Sequence, residues 1–201
     1  MLSFANRMNV QLEETAEKKC AIFESTIKLV RERGFHGSPM SQIAQEAGVA
    51  TGTIYHYFAS KDDLLIEVFR HCKRQISAAM FRPEEEQLPY PERFVAVWIN
   101  LVRFYIRRPG VLSFMEQFFS SPYAATVYNK SYNVQMQNEM SVFLQQGLDQ
   151  EIIKPLDINV ITSAFIGTAN AVAKRHINGH HAFDEASMNE VVNIIWDGIK
   201  K

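Results

Sequence analysis

The stretch MSQIAQEAGVATGTIYHYFASKDDLL, Met40 to Leu65, constrains the fold most. It holds two helical patterns pinched around Ala47-Gly48-Val49-Ala50, and isolated helices of about eight residues are marginal in water, so each must pack against something larger. Support lies on both sides. Upstream, Leu12, Ala16, Cys20, Phe23, Ile27 and Val30 recur at spacings of four and three, one apolar stripe of a helix that stops at Gly34 after Arg31 and Arg33. Downstream, the S-x-x-D box Ser60-Lys61-Asp62-Asp63 opens a long amphipathic helix that carries Leu64, Leu65, Val68, Phe69, Cys72 and Ile76 and reaches about Met80. Ser38-Pro39 starts the first short helix, with serine as cap and proline at the first helical position. Gly48 permits a tight positive-φ turn and Val49 fills the gap between the pair. This is helix-turn-helix chemistry.

Prolines and glycines partition the remaining chain into helical segments at about 92–107, 110–120, 124–150, 157–178 and 184–200, with almost no period-2 alternation. The fold class is all-α, about nine helices in total. FRPEEEQLPYPERF, with three prolines and an acidic cluster, marks the boundary between a head and a body. The expected organisation is a three-helix head at residues 1–60, a linker helix at 61–81 and a helical body at 82–201. The longest charge-free stretch, between Asp157 and Lys174, falls short of the roughly twenty apolar residues that span a bilayer, and no export leader opens the chain, so a soluble cytoplasmic protein is expected. Cys20 and Cys72 both sit in helical apolar patterns, which suits reduced core thiols. The net charge of −1 decides nothing about nucleic acid. Split at residue 82, eleven basic against nine acidic residues leave the head mildly basic, and ten against thirteen leave the body mildly acidic.

Stepping 100° per residue from Thr51 places Ile54, Tyr57 and Phe58 on one side of the second short helix and Gly52, Thr53, Tyr55 and His56 around the other. That outer face fits a major groove. Gly52 lets backbone approach, Thr53 and His56 can bond base edges, and Tyr55 and Tyr57 can donate to phosphates. Lys61 opposes the dipole of its own helix, which an external phosphate would explain, and Ser38 with the free amides behind it offers a second phosphate position.

The ordered pattern GF…S-P-M-x-x-I-A-x-E-A-G-V-x-x-G-T-I-Y-x-Y-F-x-S-K-D-x-L, from Ile22 to about Val68, resembles the DNA-binding head of TetR-type transcriptional regulators. One position departs: Ala50 stands where that family usually has a capping serine or threonine, so the cap is absent or moved to Thr51. The resemblance implies DNA contacts by Ser38, Pro39, Thr51, Gly52, Thr53, Tyr55, His56, Tyr57 and Lys61. It further implies a homodimer on a palindromic operator, repression, and release by a small apolar or aromatic effector.

By resemblance the last two helices pair with their symmetry mates, and the stripes Ile161, Phe165, Val172 and Val192, Ile195, Trp196, Ile199 are the expected interface, beside the small residues Ala164, Gly167 and Ala171; the alternative is that both stripes are internal core. Trp98, Tyr105, Met115, Phe118, Tyr132, Met136 and Phe165, with Asn170 as a polar handle, are the candidate effector lining, since adaptable Met and aromatic groups with few polar contacts suit apolar ligands. No G-x-S-x-G elbow, Gly-rich phosphate loop or H-E-x-x-H is present, so no enzyme, cofactor or metal is expected. His176, His180, His181 and Asp184 read as a polar loop, and Arg103, Arg107 and Arg108 as cations suited to a helix C-terminus. The rival readings are a metal- or redox-responsive regulator and a helical adaptor that binds only protein.

Overall fold

The computed structural model describes residues 4–129 and 139–201. Among them lie ten α-helices: α1 (Phe4–Arg33), α2 (Met40–Glu46), α3 (Thr51–Tyr57), α4 (Lys61–Met80), α5 (Tyr90–Arg107), α6 (Pro109–Phe119), α7 (Pro122–Asn129), α8 (Glu139–Asp149), α9 (Ile158–Ile177) and α10 (Glu185–Ile199). No strand occurs among the described residues, only an isolated bridge between Ile153 and Lys200. The single helix expected over 124–150 is occupied at its ends by α7 and α8, and 130–138 lies outside the described residues. The proline-rich boundary forms a 3-10 turn at Pro83–Glu85 before α5.

Two compact units result: residues up to Cys72 together with Ser113–Val127, and Lys73–Leu112 together with the chain from Tyr128 onward. In the first, Ile22, Phe23, Ile27 and Val30 of α1, Ile43 of α2, Ile54 and Phe58 around α3, and Leu64, Leu65, Val68 and Phe69 of α4 are buried. Of the stripe read on α1, Phe23, Ile27 and Val30 are core, and the side chain of Leu12 lies outside the described ones. Ala16 and Cys20 are exposed, which corrects the expectation of two core thiols; Cys72 alone is buried. The C-terminal half of α6 joins this core through Phe118, stacked on Phe69 at 4.3 Å and 13°, and through the Gln117 amide, which donates to the Val30 carbonyl at 3.1 Å.

The second unit centres on α5 against α9 and α10. Trp98 is fully buried and its indole N–H donates to the Phe165 carbonyl at 3.1 Å and the Thr168 hydroxyl at 3.2 Å, so the largest side chain of α5 leaves no unpaired donor. Phe94 meets Phe165 edge-on at 5.1 Å. Tyr90 stacks on Phe143 at 4.7 Å and lies against Gly147, where any Cβ would collide with the tyrosine ring and hydroxyl. Burial pushes the Tyr90 phenol well above the usual tyrosine range. Asp157 caps α9 by accepting from the Asn159 N–H at 2.7 Å, and Asp184 and Ser187 form a reciprocal capping box on α10. Of the four residues read as a polar loop, His176 lies in the last turn of α9 and accepts the Phe183 N–H at 3.1 Å, His180 and His181 lie in the loop, and Asp184 is this cap. Arg103 pairs with Glu185 at 3.0 Å.

Candidate nucleic-acid interface

The turn that sets α3 is built from backbone bonds. Gly48, at φ 66°, donates to the Gln45 carbonyl at 3.2 Å while Val49 donates to Ala44 at 3.0 Å, the paired pattern of a helix stopped by a left-handed residue. Arg33 donates to Gln42 at 2.8 Å and ties the end of α1 to α2. Ile54 (0% exposed) and Phe58 (5%) hold α3 down. Burying two such side chains contributes about 1.5–3 kcal/mol each, which outweighs the roughly 1 kcal/mol of a missing cap. Ala50 does occupy the N-cap, with extended backbone and no side-chain bond, so the cap is absent and has not moved to Thr51. The helix begins at Thr51.

With Ile54 inward, Thr51, Gly52, Tyr55 and His56 are exposed and Thr53 and Tyr57 half-buried. Tyr55 keeps 54% of its surface open. A Cβ placed on Gly52 would meet no atom within 4 Å. Nothing in the chain's own packing requires a glycine there, and the flat spot it leaves faces outward.

Two of the expected phosphate positions differ from the sequence reading. Ser38 is fully buried and its hydroxyl donates to the Gly34 carbonyl at 2.8 Å, completing the end of α1; the N-cap of α2 is Pro39, exposed and without a side-chain bond. Serine therefore seals the turn behind it and does not cap the helix ahead. Lys61 has an internal partner, the Phe35 carbonyl, and partial burial holds its ammonium below the usual lysine range, with Asp62 opposing that shift. Its position is thus explained within the fold, by a lysine reaching back to a carbonyl that also accepts the Ser38 N–H at 3.4 Å. Ser60, just ahead of α4, accepts the Asp63 N–H at 3.1 Å and donates to the Asp63 carboxylate at 2.8 Å.

Residues 22–68 match the model of bacterial regulatory proteins of the tetR family, and residues 89–200 match a tetracyclin repressor-like C-terminal domain. The chain belongs to the TetR family. Its helix-turn-helix, α2 and α3, lies within the segment that matches the regulatory-protein model. An uncharacterised HTH-type transcriptional regulator of Haemophilus influenzae is 34% identical over 101 residues, 50% of this chain and 54% of that protein, so the chain spans about half the length of the curated relatives it matches. The crystal structure of a TetR-family transcription regulator from Marinobacter aquaeolei shares the fold at TM-score 0.82 and 22% identity, covering 94% of this chain and 98% of that one. FadR of Bacillus subtilis, solved in complex with stearoyl-CoA, superposes at TM-score 0.72 with 24% identity over 89% of this chain and 98% of that one.

In this TetR-family chain the outer faces of α9 and α10 differ from the expected interface. Ile161, Phe165, Val172, Val192, Ile195 and Ile199 are all buried inside the protomer, and Trp196 is half-buried beside Phe94 at 5.1 Å. They are core, because each helix directs its continuous apolar stripe to α5. What faces outward is Val160 (61% exposed), Ala164, Gly167 and Ala171 on α9, and Ile194 (74%) with Gly198 on α10. Ile194 could have been found as the apolar residue that falls off the stripe Val191, Val192, Ile195, Ile199.

The candidate effector residues divide between the units. Met115 and Phe118 are buried in the first; Trp98, Tyr105 and Phe165 are buried in the second. Tyr132 and Met136 lie outside the described residues. Asn170 is half-buried, and its side-chain oxygen is buried with no hydrogen-bond partner among the described residues. An open groove walled by α8 and Ile158 contains none of these side chains. Among the described residues no group of His, Cys, Asp and Glu is arranged to hold a metal, and no helix is long and apolar enough to cross a membrane.

Proposed function

We propose that the protein binds a palindromic operator as a homodimer and represses transcription until a small apolar or aromatic effector releases it. The observation that carries this reading is the α3 face itself: Gly52 with open space above it, flanked by exposed Thr51, Tyr55 and His56, on a helix anchored from behind by Ile54. A helix with its side chains is about 10–12 Å across and a major groove about 12 Å wide, so such a helix enters with its uncovered face toward base edges. Thr53 and His56 take the base-reading positions, with Thr51 and the Gly52 backbone beside them. Tyr55, Tyr57, Pro39 and the amides behind it, and the donors of Lys61 not spent on Phe35 take the phosphates; the buried Ser38 contributes position only.

The dimer forms through the small-residue faces of α9 and α10, where Ala164, Gly167 and Gly198 permit close approach and Val160 and Ile194 supply apolar area. The isologous contact presents two heads to successive half-sites. For the effector, the unpaired Asn170 oxygen calls for a donor, and the stearoyl-CoA held by the Bacillus subtilis FadR supports a molecule with a long acyl chain as one class to try. Whatever its identity, it shifts the equilibrium only by its difference in affinity between the two states.

The test is binding of the full chain to a duplex selected from a random pool and to an unrelated duplex. His56→Ala and Thr53→Ala are expected to lose about 1–3 kcal/mol on the selected duplex and little on the unrelated one, while Lys61→Ala weakens both alike. Variants indistinguishable from the parent on both duplexes would remove these side chains from the interface.

A further inference from the structure

The geometry points to Lys19 as an additional phosphate-binding residue of the DNA interface, lying outside the segment that carries the family pattern and held in place by the ring of Tyr57. The inference rests on the DNA-binding reading of α3. The family match begins at residue 22, whereas α1 begins at Phe4, so a considerable length of helix precedes it. Between Glu14 and Cys20 that helix does not join the core: Ala16, Glu17, Lys18 and Cys20 are exposed, and Lys19 and Thr15 are half-buried.

The two adjacent lysines are treated differently by their surroundings. Lys18 pairs with Glu14 one turn earlier, at 3.8 Å. Lys19 pairs with no acid among the described residues; its ammonium sits over the Tyr57 ring, 5.4 Å from the centroid. Tyr57 closes α3 and lies edge-on to His56 at 5.4 Å, so the lysine is fixed at the end of the helix that enters the groove.

The kind of contact decides what the ammonium can do next. An ion pair would cancel its charge and occupy its N–H bonds. A ring face attracts the cation through its quadrupole, restrains the flexible stem, and leaves the donors free. An unneutralised cation beside a groove-binding helix faces the strand that borders the groove, because the helix nearly fills the groove's width. The ligand is therefore the sugar-phosphate backbone of duplex DNA, contacted without regard to sequence.

The experiment uses the full chain, fluorescence anisotropy with a selected and an unrelated duplex, and a salt series. Lys19→Ala is expected to lower affinity for both duplexes by the same several-fold factor and to reduce the slope of log K against log salt by about 1.8 per bound dimer, about 0.9 for the phosphate that each of the two protomers no longer neutralises. Lys19→Arg is expected to retain both quantities, and Lys18→Ala to leave the slope as in the parent. A parent that binds with Lys19→Ala matching it in affinity and slope overturns the inference alone. So does a loss confined to the selected duplex, which would make Lys19 a support for Tyr57 and not a phosphate ligand. An equal slope change in Lys18→Ala would assign the effect to general charge and also overturn it. A parent that binds no duplex at low salt overturns the inference together with the reading beneath it.

Discussion

Ala50 shows how a local sequence rule and the packing around it divide the work. Its backbone, at φ −66° and ψ 145°, already has the extended geometry of a helix N-cap, but its methyl group accepts no hydrogen bond. α3 persists because Ile54 and Phe58 are buried beneath it. Ala50→Ser is expected to add the missing acceptor and stabilise the protein by about 1 kcal/mol, read as a higher urea midpoint with unchanged m-value. An unchanged midpoint would mean that the exposed start of α3 is already satisfied by water. Ser38 and Lys61 teach the converse. Both are placed where a sequence pattern suggests an outward role, and both spend their polar groups on carbonyls of the α1–α2 connection, Gly34 and Phe35. Sequence spacing shows which backbone groups a side chain can reach along its own helix. It does not show a carbonyl brought near by the turn of the chain.

At the scale of elements, α1 to α4 were legible because their signals are local. Gly34 and Gly48 take positive φ as their positions require, Ser60 and Asp63 bond to each other ahead of α4, and the inward residues of α3 are those on one side of its helical wheel. The faces of α9 and α10 were less legible. A stripe such as Ile161, Phe165, Val172 states that one side of a helix is covered, and says nothing about whether the cover is α5 or a second protomer. The structure gives that side to α5 and leaves Ile194 three-quarters exposed on the other. In the proposed dimer, Ile194→Glu is therefore expected to shift the protein to monomer. Losing the burial of two isoleucines per dimer forfeits about 3 kcal/mol or more, enough to raise the dimer dissociation constant on the order of a hundredfold. Sedimentation of parent and variant checks this; a variant with the parent's mass at every concentration would place the interface elsewhere.

For the whole molecule, the residues expected to hold an effector were the hardest to separate from core. Trp98, Phe118 and Phe165 are among the largest fully buried side chains, and the composition that suits an adaptable apolar pocket is the composition of any aromatic interior. Only Asn170, with an oxygen buried and unpaired, stands out from that background, and no spacing in the sequence distinguishes it from an amide that has found a partner. The proposed DNA-binding function does not share this difficulty, because the face argued for it is exposed and has features the fold itself does not need. The most direct test of that central claim is selection of duplexes from a randomised pool by the purified full chain, followed by titration of the enriched sequence at several salt concentrations. The account predicts an inverted repeat bound by two protomers, at least about a thousandfold tighter than unrelated duplex, with affinity falling steeply as salt rises. Recovery of no common sequence, with equal affinity for every duplex, would contradict it.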